Sequence, residues 1–140
     1  MILIREMRSE DLAFVSKIEE QSFTHPWTKE QFQSELNTAH AWSYVALYNK
    51  MIVGYIVFWN VYDEIEIGVI AVLETHRNKQ IGQRLLHTAI AQKPISIFLE
   101  VSDKNDVAQT FYISQGFQEI HRRRSYYKDG TDAIIMKKSF

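Results

Sequence analysis

Apolar and polar residues along this chain change their period several times, and each change predicts an element. Ile2–Glu6, "ILIRE", has the alternation of a short half-buried strand. Ser9 opens a helical pattern with Glu10 and Asp11 in its first turn, where carboxylates suit the positive end of the helix dipole. Leu12, Val15, Ile18 and Phe23 share its apolar face. Pro26 interrupts the pattern, and Thr28 with Gln31 is a capping-box signature for a second helix, Thr28–Leu36. Strand-like runs follow at Trp42–Tyr48 and Met51–Val61, joined by the hairpin-turn pair Asn49–Lys50, and at Glu64–Val72. Ile81, Leu85, Leu86, Ala89 and Ile90 then recur at helical spacing, and "ISIFLEV" (Ile95–Val101) is apolar enough for a buried strand. Asn105 starts a further helix with Val107, Ala108, Phe111 and Tyr112 on one face, stopped by Gly116. Strands over Gln118–Tyr127 and Ala133–Lys138, around the turn "KDGT", close the chain.

This is a mixed α/β order with an antiparallel front half. The crossover from Glu64 to Val101 demands a locally parallel strand pair. The 140 residues contain no repeat and fit one domain, 1–140. The chain has no cysteine, which excludes disulfides, thiolate metal sites and a cysteine nucleophile. Its five histidines show no metal spacing, and no metal is expected. A net charge of −1 argues against bulk attraction to nucleic acid. "HRRR" (His121–Arg124) in the tail hairpin is accordingly expected to be a solvated face. The N-terminus carries charge within its first five residues, unlike a signal peptide, and no apolar run approaches the ~20 residues of a membrane span. The expectation is a cytoplasmic protein with no membrane partner.

Two segments carry candidate chemistry. In "RNKQIGQRLL" (Arg77–Leu86) a turn follows a strand and opens a helix. Free N–H groups and the helix dipole favour an anion there, although this turn has one glycine, Gly82, where phosphate cradles usually have two or more. No G-x-G-x-x-G follows any strand, which disfavours a dinucleotide site. Glu100 interrupts the apolar run "ISIFLEV". A carboxylate in such a strand is costly unless it is partnered, exposed or used.

The element order, the "IAV" strand end at Ile70–Val72, this turn and "NDVAQTFYISQGF" (Asn105–Phe117) resemble the GCN5-related N-acetyltransferases. "SFTHPWTKEQF", "LEVSDKN" and "RRRSYYKDGTDAIIM" resemble the RimI-like ribosomal-protein-alanine N-acetyltransferases within that family. The resemblance implies a mostly antiparallel sheet of about seven strands flanked by about four helices, with a splayed parallel pair at the cofactor site. It implies acetyl-CoA as co-substrate and direct transfer of acetyl to the N-terminal α-amine of a protein, a ribosomal small-subunit protein being the expected acceptor. A small amine, a lysine side chain, or a catalytically silent acyl-CoA-binding module are the alternatives.

By the same resemblance the main chain of Ile70, Ala71 and Val72 pairs with the pantetheine arm, and Asn78, Lys79, Gln80, Ile81, Gly82 and Gln83 cradle the pyrophosphate. Glu100 is the general base and Tyr112 the general acid, with Glu66 as the rival base. Asn105 either caps its helix or hydrogen-bonds the cofactor. The leucine pair Leu85–Leu86 makes Gly82 the second glycine of the family's turn and puts Gln80 where the first belongs, with an expected φ below zero. Pro26–Trp27 and Tyr126–Tyr127 either line the acceptor groove or pack under loops, and "YDEIE" (Tyr62–Glu66) is either a lure for a basic peptide end or an ordinary loop. Charge favours an α-amine acceptor. At pH 7 a neutral α-amine costs about 1 kcal/mol and a neutral lysine about 4–5 kcal/mol, and a glutamate base suffices for the first.

Overall fold

The computed structural model describes residues 1–140. Seven strands form one sheet in the order β1-β2-β3-β4-β5-β7-β6. The strands are β1 (Ile2–Glu6), β2 (Ala41–Tyr48), β3 (Met51–Val61), β4 (Glu64–Val72), β5 (Ser96–Ser102), β6 (Gln118–Arg123) and β7 (Ala133–Ser139). The helices are α1 (Leu12–Ser22), α2 (Lys29–Leu36), α3 (Ile81–Ile90) and α4 (Asp106–Ser114). Of the neighbouring strand pairs only β4–β5 is parallel, as the crossover through α3 requires.

Local signals explain most boundaries. Asn49 (φ 50°) and Lys50 (φ 73°) both take positive φ in the β2–β3 hairpin, the backbone of a tight turn whose twist matches the strands. Thr28 and Gln31 exchange the two capping-box bonds, at 3.1 and 2.7 Å, ahead of α2. Gly116 stops α4 at φ 93°. One helix start differs from expectation: Ser9–Asp11 forms a 3-10 turn and the α-helix begins at Leu12. Asp11 is drawn inward, accepting the Arg8 N–H at 2.8 Å and a two-pronged bond from Arg5 at 2.8 and 2.9 Å. The strand expected to reach Tyr127 ends at Arg123, because the Ser125 N–H turns to the Asp132 carboxylate instead of a ladder partner.

Two cores lie on opposite faces of the sheet. Ile81, Leu85, Leu86 and Ala89 of α3 and Tyr112 of α4 pack on Ile56, Phe58, Ile65, Ile67, Ile97 and Leu99. Leu12, Val15 and Ile18 of α1 and Phe32 of α2 pack on Val45, Tyr55, Val57, Val69 and Ala71. Strand β4 therefore changes sides, its odd-numbered residues facing α3 up to Ile67 and α1 from Val69 onward. The register shows how: Phe58 pairs with Ile67 and Val57 with Val69, leaving Gly68 as the extra residue of a β-bulge. The parallel pairing of β4 with β5 stops at Ile67–Leu99, one residue before the bulge. Beyond it the strands are no longer paired, which leaves a cleft between them.

Candidate active site

The cleft has one bare edge. Ile70, Ala71 and Val72 pair with β3 on one side but with no strand on the other, so their remaining backbone groups are open to an extended partner. At the top of the cleft the chain passes from a 3-10 turn (Glu74–His76) through Arg77–Gln80 into α3. No side chain caps α3, so the first-turn N–H groups of Ile81, Gly82 and Gln83 keep the orphan donors and positive dipole end that suit a pyrophosphate. Gly82 is needed for packing, since a Cβ there would stand 3.2 Å from the Phe111 ring of α4. The residues expected to cradle an anion are thus brought together, and the turn fits one.

Gln80 corrects the expectation of negative φ: it sits at φ 63°, ψ 19°, and Asn78 is also left-handed at φ 66°. Two left-handed residues flank Lys79 in the turn that leads into α3. The Lys79 ammonium lies over the Tyr48 ring at 5.3 Å, and Tyr48 meets His76 edge-on. Of its two candidate roles, Asn105 fills the capping one. Its Oδ1 accepts the Ala108 N–H at 3.1 Å and caps α4, which leaves the Nδ2 donors for another partner.

Glu100 and Tyr112 sit on opposite faces of the sheet beside the cleft. Ile97, Leu99 and Val101 face the α3–α4 core, so Glu100 points to the α1–α2 side, with its side chain 31 % exposed. Tyr112 is buried in the α3–α4 core against Phe111 and Phe117. Burial pushes its phenol well above the usual tyrosine range. The same desolvation would act on a thiolate beside it, so the difference between the two groups matters more than either value.

Glu66 shares the face of Glu100. Burial first and the Glu100 charge second raise its carboxyl above the ordinary range, with Arg123 opposing. Tyr127 donates its hydroxyl hydrogen to Glu100 Oε1 at 3.0 Å, and Arg123 lies 3.9 Å from Oε2. Of the paired aromatics, Tyr127 therefore contacts the candidate base Glu100. His25 of the α1–α2 loop stacks on it at 6.4 Å, so the two loops meet over Glu100. "HRRR" is largely exposed, with His121, Arg123 and Arg124 on the surface, and it is also paired: Arg122 bridges Asp103, Asp132 and Glu119 at 3.1–3.5 Å, and Arg123 lies 3.9 Å from Glu100 and over Tyr126.

Glu19 is a site-shaping residue that the sequence pattern hid. It is buried on the apolar face of α1, four residues after Val15, a spacing that could have flagged it. One carboxylate oxygen accepts the Tyr55 hydroxyl at 2.6 Å and the other the Trp27 N–H at 3.0 Å. It thereby pins the α1–α2 loop to β3.

With this geometry in hand, comparison with known proteins places the chain. Residues 12–117 match the model of the "Acetyltransferase (GNAT) family". The chain belongs to the acetyltransferase (GNAT) family. Among curated relatives of this acetyltransferase, it is 36 % identical over 139 residues to the "Putative [ribosomal protein bS18]-alanine N-acetyltransferase" of Bacillus subtilis, covering 95 % of this chain and 92 % of the relative. The crystal structure of the ribosomal-protein-S18-alanine N-acetyltransferase from Escherichia coli superposes with a TM-score of 0.88 at 28 % identity, covering 99 % and 94 % of the two chains. Arabidopsis thaliana NAA60 in complex with acetyl-CoA shares the fold at TM-score 0.88 and 18 % identity, with 100 % and 99 % covered. No group of acidic or histidine side chains that could hold a metal is present, and no helix is long and apolar enough to cross a membrane.

Proposed function

We propose that this acetyltransferase transfers acetyl from acetyl-CoA directly to the N-terminal α-amine of a protein beginning with alanine, a ribosomal small-subunit protein being the acceptor. The observation that carries the chemistry is the placement of Glu100 and Tyr112 on opposite faces of the sheet, Glu100 on β5 where it parts from β4 and Tyr112 on α4. The acceptor class is supported by the names of the relatives matched along nearly the whole chain. Acetyl-CoA supplies an activated acetyl group as a thioester. The open edge of Ile70–Val72 and the uncapped start of α3 would hold its arm and pyrophosphate.

Each protein group then has one task. Glu100 takes the proton that the ammonium must lose, across a bridging water if the approach is not direct. The neutral nitrogen bonds to the carbonyl carbon as the carbon–sulfur bond breaks. An N–H of the free β4 edge polarises the carbonyl oxygen. Tyr112 gives its hydroxyl proton to the departing sulfur and is reprotonated at the expense of the second proton, which the nitrogen sheds on becoming an amide, while Glu100 releases the first to solvent. The chain has no cysteine to carry an acyl group, and transfer proceeds in a ternary complex, so ping-pong kinetics would sink this reading.

The test pairs a peptide bearing a free N-terminal alanine with the same peptide blocked there, followed by mass mapping of a treated ribosomal small-subunit protein. Acetylation of only the free peptide is expected. Glu100→Gln and Tyr112→Phe should each lower kcat by roughly 100-fold or more, whereas Glu66→Gln should retain turnover within about tenfold. If Glu66→Gln is silent and Glu100→Gln active, the base is Glu66. Acetylation of the blocked peptide at lysine would overturn the α-amine assignment.

A further inference from the structure

Trp59 stands at a position that acetyl transfer itself does not require. It pairs with Glu66 across β3 and β4. Because Phe58 faces the α3–α4 core, Trp59 lies on the other face, together with Glu66 and Glu100. Its indole N–H donates to Glu35 Oε2 at 2.7 Å, which ties the ring to α2. The far end of the ring lies over the bulge. A Cβ at Gly68 would be 2.5 Å from Trp59 Cη2 and 3.0 Å from Trp27 Cη2. The two indoles lean together at 6.1 Å, the Trp27 ring is backed by Phe32 at 5.2 Å, and the Trp27 backbone is held by its amide N–H donating to Glu19. Position 68 is bare, and the indoles occupy the space its side chain would take. An amine lying between Glu66 and Glu100 therefore has a pinned aromatic wall on its β3 side, at the point where it must approach the cleft.

We propose that Trp59, held by Glu35 and backed by Trp27, sets the size of the acceptor's first side chain, admitting glycine, alanine and serine and excluding leucine, methionine and other long residues. The inference rests on the α-amine acceptor proposed above. A wall fixed by packing and by a hydrogen bond to a neighbouring helix does not yield cheaply to extra methylene groups.

The experiment uses six peptides identical except for a first residue of Gly, Ala, Ser, Val, Leu or Met. It measures kcat/KM for acetylation and, separately, calorimetric binding of each peptide. Wild type should favour Ala over Leu by about tenfold or more. Trp59→Phe, which shortens the ring and loses the bond to Glu35, should raise the Leu-to-Ala ratio about tenfold in both readouts, and Trp59→Ala should raise it further. Gly68→Ala should push the indole into the acceptor space and favour Gly over Ala. Should Trp59→Ala fail to fold, Trp59→Phe and Gly68→Ala carry the test. If the Trp59 variants scale all six peptides by one factor, or leave the ratio unchanged, the wall is refuted while the α-amine reading stands. If wild type acetylates none of the six, the α-amine reading fails and this inference with it.

Discussion

Replacing Gln80 by glycine removes a Cβ from backbone held at φ 63°, ψ 19°. A non-glycine residue in that region costs roughly 1–2 kcal/mol. Glycine also enlarges the unfolded ensemble and returns about 0.4–1 kcal/mol of that gain. Nothing else is lost, because the Gln80 side chain does not cap α3 and the Gln80 carbonyl, which accepts the Arg84 N–H at 3.1 Å, is retained. The net expectation is a stabilisation of about 1 kcal/mol, or a rise in Tm of about 3–4 °C for a chain of 140 residues. Acetyl-CoA affinity should change by less than about fivefold if the turn keeps this left-handed form in both free and bound states, since glycine then lowers the energy of both together. Thermal unfolding and calorimetric titration with acetyl-CoA check the two halves. A fall in Tm would refute the strain argument. A gain in affinity above about tenfold would show that the free turn relaxes away from this geometry and is rebuilt on binding.

Other positions give sharper stability signals. Glu19→Ala leaves the buried Tyr55 hydroxyl and Trp27 N–H without their acceptor and should cost about 1–3 kcal/mol for each orphaned group, read by denaturant unfolding. Glu19→Gln keeps the Trp27 N–H bonded through its Oε1 and can set its Nε2–H against the Tyr55 oxygen, leaving only the Tyr55 O–H proton without an acceptor. Burial raises the Glu19 carboxyl above its ordinary range despite those two bonds, so its contribution to stability is full below the ordinary glutamate range and is lost as pH rises through the raised value. The Gln variant should flatten that decline between the two values; an unchanged pH profile would refute the assignment. Asp11 has the opposite sign: Arg5 foremost, with the Arg8 N–H, holds its carboxyl low, so its contribution is lost as pH falls through that lowered value, and Asp11→Asn should lessen acid sensitivity there. Asn105→Ala removes the bond to the Ala108 N–H and should cost about 1 kcal/mol. Any larger loss of acetyl-CoA affinity than of stability would assign its Nδ2 to the cofactor.

Period and punctuation made the architecture legible. β1, β3 and β4 have the bounds that their alternation or apolar runs predict, and the capping box at Thr28 marks α2. Glu100 stood out as a charge in an apolar strand. What was hidden depends on contacts between distant segments or on backbone state. The Tyr127–Glu100 bond joins residues 27 apart, and Arg122 collects carboxylates from separate loops. The pairing of Trp59 with Glu66 rests on a register that the alternation pattern does not contain. A glutamine does not advertise a left-handed backbone. Only the need to turn from one element to the next within a few residues imposes it.

The bulge at Gly68 has a consequence for how far this protein can be stabilised. Gly68 and Val69 together oppose one residue of β3, and a bulged strand bends. A chain lacking Gly68 would pair Val69 in the vacated place without changing which side Ile67, Val69 or Ile70 faces. β4 would then run straight and could continue its ladder with β5 beyond Leu99. Such a deletion would close the opening proposed above for the acyl donor, exchanging activity for a more regular sheet. The cleft is a deliberate flaw in the pairing, and selection for thermostability alone would tend to repair it.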